Sequence, residues 1–507
     1  MAWNKKNRTA SFIAERKIRI HGSCDADFID RKLDIANRIY NELVFHYRKV
    51  LDLLYEDIHY RIAYDRMKKT EEEEKPEWME EVSQCAVEYG LTEPDIHSHL
   101  TYLNNSSYRK ALNTDIMQKL GSEFYTSIKK AVFHKNKVHY RKYGKTNSLT
   151  AKKNSTGIIY YEETDSIKFM GRKYDLKPVR RKDFWLQEAM THKVKYCRIV
   201  RRPKGKKYEY FLQLILEGTS PKKLRKGEGT CGIDEGTSTV AWYSDKEAGF
   251  EVIADGIEKY DKEVRKYAVR YERRRRLANP DCYNENGTIK KGAKFQNRTK
   301  GMKEALMRLK SAYQKKKAFV KNSHGNLTNR IIEQCDSIVK EPMNFKALAR
   351  KSKKKAERKD TPSVLKDKEG KEKKVFRFKK KRRYGKTINR RSPGLFNSML
   401  EEKAKRYDVP VTDVDIKKYR ASQYDHHTDS YRKSLLSSRG KKVNGRRVQR
   451  DLYSSFLLKH KDTVEHPDRE ECTKDFGNFL KKQGHVVNQV RKKGDTTKNF
   501  GLEFFIS

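Results

Sequence analysis

Apolar residues recur on two different periods along this chain, and the places where the period changes divide it into segments. Residues 10–22 (ASFIAERKIRIHG) alternate Phe12, Ala14, Ile18 and Ile20 with polar neighbours, which predicts a strand. The spacing then turns helical, through Leu33, Ile35, Ile39, Leu43, Val44, Tyr47, Leu51, Leu54 and Ile58. After a charged break at 67–78 it resumes with Leu112, Ile116, Leu120, Phe124, Ile128 and Val132. Residues 26–136 thus read as a helical domain inserted after the first strand. Across 155–218 the texture changes to short β-rich runs, among them 158–161, 166–169, 194–200 and 208–216. Bounded by Gly, Lys and Asp, they predict a small antiparallel barrel. From Thr230 a third pattern begins. A strand (TCGIDEG) and two hairpin strands (TVAWYS, FEVIADG) precede charged helices at 257–277 and 301–322, which flank a Pro/Asn/Gly-rich link. A helix (LTNRIIEQC), the short apolar strand SIVKE, a helix (LFNSMLEEKAKRYD), a strand (VPVTDVD) and a final helical segment from VQRDLYSSFLL complete it. The fold class is therefore α/β plus helical, without internal repeats.

Charge narrows what such a chain is for. Its 507 residues include 117 Lys+Arg against 68 Asp+Glu, a net charge of +49. Like charges repel in the compact state, so an excess of this size calls for a polyanion. A nucleic-acid heteroduplex of about 20 base pairs carries roughly 40 phosphates, which matches the excess better than one short DNA site does. Ribosomal-type and histone-like proteins offer another basic class, but they are usually shorter and lack an acidic active site. The seven cysteines are scattered with no CxxC pair. That points to a reducing compartment without disulfides, and gives no cysteine zinc site. No stretch approaches 18 apolar residues, so no membrane partner is expected and the location is read as cytoplasmic.

Against that basic background three acids stand out. Asp234 lies inside the first core strand between Ile233 and Glu235, Glu341 ends the strand SIVKE, and Asp451 begins the last helical segment. Phosphodiester hydrolysis by two magnesium ions about 4 Å apart needs a compact cluster of hard oxygen ligands, which Asp and Glu supply. Each acid alone has an ordinary reading: a strand-to-turn junction, a solvated strand end, and a helix cap or first-turn acid. The ordered set on strand, strand and helix is more specific. More than a hundred residues separate each from the next, so only folding brings them together.

Those three stretches carry a resemblance. GIDEGTSTVAW, SIVKEPMNFKAL and VQRDLYSSFLL stand in the order of the three RuvC motifs, and RSPGLFNSMLEEKAKRYDVPVTDVD is similar to the helix and strand between them. The chain resembles the transposon-encoded TnpB nucleases and the compact type V CRISPR effectors descended from them, most specifically over 230–460. The resemblance implies an RNase H-like RuvC nuclease domain at 223–415, with a basic helical hairpin and lid, and its third motif and tail at 445–507. It also implies an N-terminal β-barrel wedge domain in two parts (1–25 and 137–222), a helical recognition domain (26–136), and a target-loading segment at 416–444. The activity implied is that of an RNA-guided DNA endonuclease, a magnesium-dependent phosphodiester hydrolase. Asp234, Glu341 and Asp451 would hold two Mg2+ ions, a guide RNA (transposon-derived or CRISPR RNA) would select the target, and double-stranded DNA would be cut beside a short motif read by the protein. Monomer and homodimer are equally compatible with the sequence.

One departure matters. The family usually carries a four-cysteine zinc ribbon between the second and third motifs; here Ser422-Gln423 is followed by Tyr424, Asp425, His426 and His427, without a cysteine. Adjacent histidines do not readily ligate one ion, so no zinc is expected and the loop is read as rebuilt on Tyr and Arg side chains. Arg420, Arg432, Arg446 and Arg447 there, and Arg273, Arg274, Arg275 and Arg276 on the charged helix, are candidate phosphate contacts. The very basic run 346–392 reads either as a lid or groove or as a solvated charge run. Two rivals remain at this stage: a guide-dependent DNA-binding repressor that does not cut, and an RNase H-fold transposase.

Overall fold

Strand alternation at the N-terminus forms β1 (Ser11–Lys17), which buries Phe12, Ala14 and Arg16. The helical spacing folds as α1 (Ser23–Glu56), α2 (Ile58–Lys69), α3 (Lys75–Glu88), α4 (Glu93–Asn105) and α5 (Thr114–His134). Their starts follow local chemistry. Asp57 caps α2 through Tyr60 N–H, Thr92 and Asp95 form a capping box on α4, and Asn113 caps α5. Then come β2 (Ser148–Thr150), β3 (Ile158–Tyr161), β4 (Ser166–Phe169), β5 (Arg172–Asp175), α6 (Phe184–Ala189), β6 (Val194–Lys204) and β7 (Lys207–Glu217). The computed structural model describes residues 10–70, 75–349, 363–366, 372–375, 384–433, 435, 438–492 and 500–506. It divides into two compact units, Met1–Pro221 with Val269–Ser311, and Lys222–Ala268 with Ala312–Ser507.

The barrel expected over 137–222 is not closed. The strands of the first unit form an open antiparallel sheet in the order β1-β7-β6-β2 and a separate three-stranded sheet β3-β4-β5. Closure needs enough tilted strands to complete a circumference, about eight in a small side-chain-filled barrel. Here only β1, β6 and β7 are long, and β2 has three residues. A buried ion pair ties the two sheets: Arg16, 3% exposed, donates to Asp165 Oδ1 at 2.8 Å and to the Lys177 carbonyl.

The second unit is built on β8 (Thr230–Glu235), β9 (Thr239–Tyr243) and β10 (Ala248–Val252), the start of α7 (Ile257–Ala278, of which the residues from Val269 belong to the first unit), α8 (Lys300–Ile332) from Ala312 onward, and β11 (Ser337–Lys340). The helix expected at LTNRIIEQC is not separate. It is the end of the 33-residue α8, which runs straight through Gly325. There follow α9 (Phe345–Ala349), β12 (Ser363–Lys366), β13 (Glu372–Val375), α10 (Gly385–Arg391), α11 (Pro393–Arg406), β14 (Val411–Asp413), α12 (Ile416–Tyr419), β15 (Tyr424–Asp425) and β16 (Ser430–Tyr431). Most of the basic run 346–392 lies outside the described residues. The chain ends with β17 (Gly440–Val443), β18 (Arg446–Gln449), α13 (Arg450–Lys459), α14 (Arg469–Lys492) and α15 (Glu503–Ile506). Among the described residues no helix is long and apolar enough to cross a membrane.

The central sheet of this unit has the order β10-β9-β8-β11-β14. Its first three strands are an antiparallel meander, and β11 pairs in parallel with both β8 and β14. Apolar residues cover both faces. Cys231, Ile233, Trp242 and Ile338 pack with Leu327 and Ile331 of α8 and Phe396 and Leu400 of α11. Ala241, Tyr243 and Phe250 pack with Leu452 and Phe456 of α13 and Phe476 and Phe479 of α14. Strand side chains alternate between faces, so Gly232 and Asp234 belong to the α13 side while Ile233 and Glu235 belong to the α11 side.

Candidate active site

The register of β8 and β11 brings two of the three acids side by side. Lys340 pairs with Ile233 in the parallel ladder, so one step further sets Glu341 alongside Asp234, on the α13 face. The third acid arrives on α13. This helix crosses β8 so closely that a Cβ added to Gly232 would collide with the Ser455 carbonyl oxygen and the Lys459 nitrogen. Glycine on the strand and the small Ser454 and Ser455 on the helix, both buried, permit that approach. Asp451 lies one turn before Ser455 and on the same helix face, so the crossing that seats Ser455 over Gly232 projects Asp451 toward Asp234. Gln449 fixes the start of α13: its side chain accepts from Leu452 N–H at 2.6 Å, while its own N–H meets Gln483 at 2.7 Å.

The electrostatics agree with this placement. Burial, then the negative charges of Asp451 and Glu341, push the Asp234 carboxyl well above the usual carboxylate range; Arg450 and the Ser454 hydroxyl oppose them in part. Burial likewise raises Glu341, whose Oε1 accepts from Ala421 N–H at 3.2 Å. A buried carboxyl raised by neighbouring acids is one whose charge a cation would stabilise, and an all-oxygen donor set suits magnesium. Yet among the described residues no three His, Cys, Asp or Glu side chains stand close enough to hold one ion between them. Asp451, 15% exposed, is ion-paired through Oδ1 with Arg450 at 3.1 Å and through Oδ2 with Arg439 at 3.6 Å. Neither arginine stands out in the sequence, where they are two of 117 Lys and Arg residues.

Behind the sheet lies a second charged cluster, which the sequence also concealed. Lys340, 2% exposed, donates to Asn397 Oδ1 at 2.8 Å and Glu401 Oε1 at 2.9 Å, and faces Asp413 at 3.5 Å. Burial works against its charge, but Glu401, Glu235 and Asp413 outweigh that and keep its pKa above the ordinary value. Glu235 is 3% exposed, and its Oε1 has no hydrogen-bond partner among the described residues. Burial pushes its carboxyl up to about 7 despite the nearby Lys340. Asp234 and Glu341 thus sit on a strand pair whose opposite face is pinned by Lys340.

The segment 416–444, lacking cysteines, is held by rings and cations. Buried Tyr424 stands 5.0 Å from Tyr431 across the β15–β16 hairpin, and Arg420 stacks over Tyr431 at 4.3 Å. His426 is buried among Tyr453, Phe456 and Phe476; its Nδ1 shares a hydrogen bond with the Tyr453 hydroxyl at 2.6 Å. Lys441 lies 4.2 Å over the Tyr453 ring and donates to the Tyr424 carbonyl, and burial brings its pKa down to about 8. Arg469 donates to the carbonyls of His426 and His427.

The eight candidate arginines are differently employed. Arg420 adjoins the acids, since the next residue supplies the N–H bound to Glu341. Arg432 and Arg446 are exposed, and Arg447 donates to the Phe504 carbonyl at 3.2 Å. Arg273 to Arg276 belong to the first unit. There Arg274 donates to the Gly301 carbonyl, Arg275 to Tyr283 and Glu272, and Arg276 to the Gly287 carbonyl, while Arg273 is exposed. Arg275 and Arg276 therefore brace the loop between α7 and α8, and Arg274 the first turn of α8.

No protein-family model matches this chain, and no curated protein does. Among solved structures it is similar to a Cas12f1–sgRNA–target DNA complex, with a TM-score of 0.40 and 14% identity over 85% of this chain and 82% of that one. It is also similar to a CRISPR–Cas12f ternary complex (TM-score 0.24, 13% identity, 86% and 82% covered). A third is a Cas12i–crRNA–double-stranded DNA complex (TM-score 0.25, 9% identity, 91% and 65% covered).

Proposed function

We propose that this chain is an RNA-guided DNA endonuclease whose residues Asp234, Glu341 and Asp451 hold magnesium for phosphodiester hydrolysis. The observation that supports the reading is that the Asp234 carboxyl, besides being buried, is raised by the charges of two sequence-distant acids, Asp451 and Glu341. The sheet order, an antiparallel meander continued by two parallel strands with the acids on the α13 face, is the arrangement expected of an RNase H-like core. Magnesium bound by these carboxylates would supply an activated water and stabilise the departing oxygen. The protein's own part is placement. β8 fixes Asp234, the Ala421 N–H orients Glu341, and the close crossing of α13 at Gly232 sets the reach of Asp451.

The guide and target follow from charge and from the motif resemblance. A net charge of +49 matches a long heteroduplex held through its phosphates, with base pairing rather than side chains reading the sequence. On this reading the first unit contains the wedge strands and the recognition helices, and 416–444 loads the target strand beside Glu341. The test is to purify the full chain from cells without nuclease treatment and sequence what it carries. A single RNA species with a constant scaffold and a variable segment, directing cleavage of matching DNA, is the expected result. Protein free of any defined RNA that nevertheless joins DNA ends would favour an unguided transposase instead.

A further inference from the structure

Each oxygen of Asp451 has a cation of the chain itself beside it, Oδ1 in hydrogen bonds and Oδ2 at ion-pair distance. Arg450 holds Oδ1, and is itself anchored by its own donation to the Ser438 carbonyl at 2.8 Å. Arg439 faces Oδ2 at 3.6 Å and is the more exposed of the two, 29% against 11%. The stem of Arg439 is fixed from two sides. Its carbonyl accepts from Arg450 N–H at 2.9 Å, and Gly501, at φ +73°, lies so close that a Cβ there would reach the Arg439 Cβ at 2.5 Å. The C-terminal residues continue this contact: Phe504 covers Gly440 and receives Arg447 on its carbonyl.

Building on the active-site reading above, we propose that Arg439 is a built-in competitor for the divalent cation at Asp451. The guanidinium neutralises the carboxylate until an ion takes over that oxygen. With Arg439 3.6 Å from Oδ2, a cation arriving there meets a carboxylate whose charge is already partly neutralised, so the ion pair lowers the affinity of the site. Arg439 has an alternative anion in any phosphate that reaches the acids, and guanidinium binds phosphate in bidentate fashion. Arrival of a nucleic-acid strand and loading of the metal then favour one another, as reciprocal linkage requires. The device weakens the acids' hold on ions when no substrate is present.

The test reads ion binding rather than cleavage. Mn2+ is titrated into the nucleic-acid-free full-length chain, and the bound ion is followed by electron paramagnetic resonance. Arg439→Gln and Arg439→Met, both confirmed to melt cooperatively, are expected to bind Mn2+ about fivefold more tightly, the scale of a partly exposed ion pair. Arg439→Lys, which keeps the charge, is expected to bind as the unaltered chain does. Equal or weaker binding by both neutral variants, with Asp451→Asn still lowering affinity, would overturn the competitor role and leave the active site standing. Binding unchanged by Asp234→Asn and Asp451→Asn as well would overturn both.

Discussion

Two successive acids on β8 meet opposite surroundings. Asp234 faces α13 and two further carboxylates, whereas Glu235 faces α11 and the buried Lys340. Burial lifts Glu235 from an ordinary 4.5 to about 7, so folding favours its protonated form. That contribution to stability is complete below pH 4.5 and is lost as the pH rises through 7. Glu235→Gln is accordingly expected to gain thermal stability relative to the parent at pH 8 and not at pH 4.5, measured by calorimetry; a difference independent of pH would contradict this. Gly232 gives a second residue-scale prediction. Its neighbours are backbone atoms of α13 that cannot rotate away, so Gly232→Ala should cost about 3 kcal/mol in urea unfolding, as overpacked cores do. An unchanged midpoint would mean that α13 does not cross there. The three candidate acids were legible in the sequence because acidic strand and helix ends are conspicuous in so basic a chain. Arg439, Arg450 and the Lys340 cluster were not, since their roles depend on register and on which face of β11 a residue occupies.

At the scale of elements, periodicity located the pieces better than it joined them. The central strands and the helix carrying Asp451 follow directly from apolar spacing. Sheet closure does not, because it depends on strand number and length across the whole sheet; four strands with a three-residue edge stay open. Nor did Gly325 break α8, where tertiary packing of Leu327 and Ile331 outweighs a cost of about 1 kcal/mol for an interior glycine. The rebuilt segment 416–444 has its own pH signature. Burial lowers His426 from 6.5 to about 4, so its neutral form is the folded one. The stability it lends is present above pH 6.5 and is lost as the pH falls toward 4. Asp425, His427, Lys441 and Arg469 surround it and modulate the shift. Amide hydrogen exchange across 416–432 is expected to quicken between pH 6.5 and 4.5 beyond its intrinsic pH dependence, and His426→Phe to remove that extra change. Its persistence in the variant would assign the effect to other groups.

For the whole molecule, charge and the acidic trio pull in opposite directions, and that opposition is the central feature of the proposal. On the proposed reading, a surface with a net charge of +49 gathers phosphates, and a small acidic place within it would receive the cations that act on them. The motif order suggests this organisation from the sequence, whereas the contacts of each basic residue follow only from the fold. The decisive measurement is cleavage of guide-matched DNA in magnesium by the RNA-loaded chain and by its Asp234→Ala counterpart carrying the same RNA. The active-site assignment predicts that DNA binding persists while cleavage falls about a thousandfold or more; cleavage by the variant at the parental rate would contradict it.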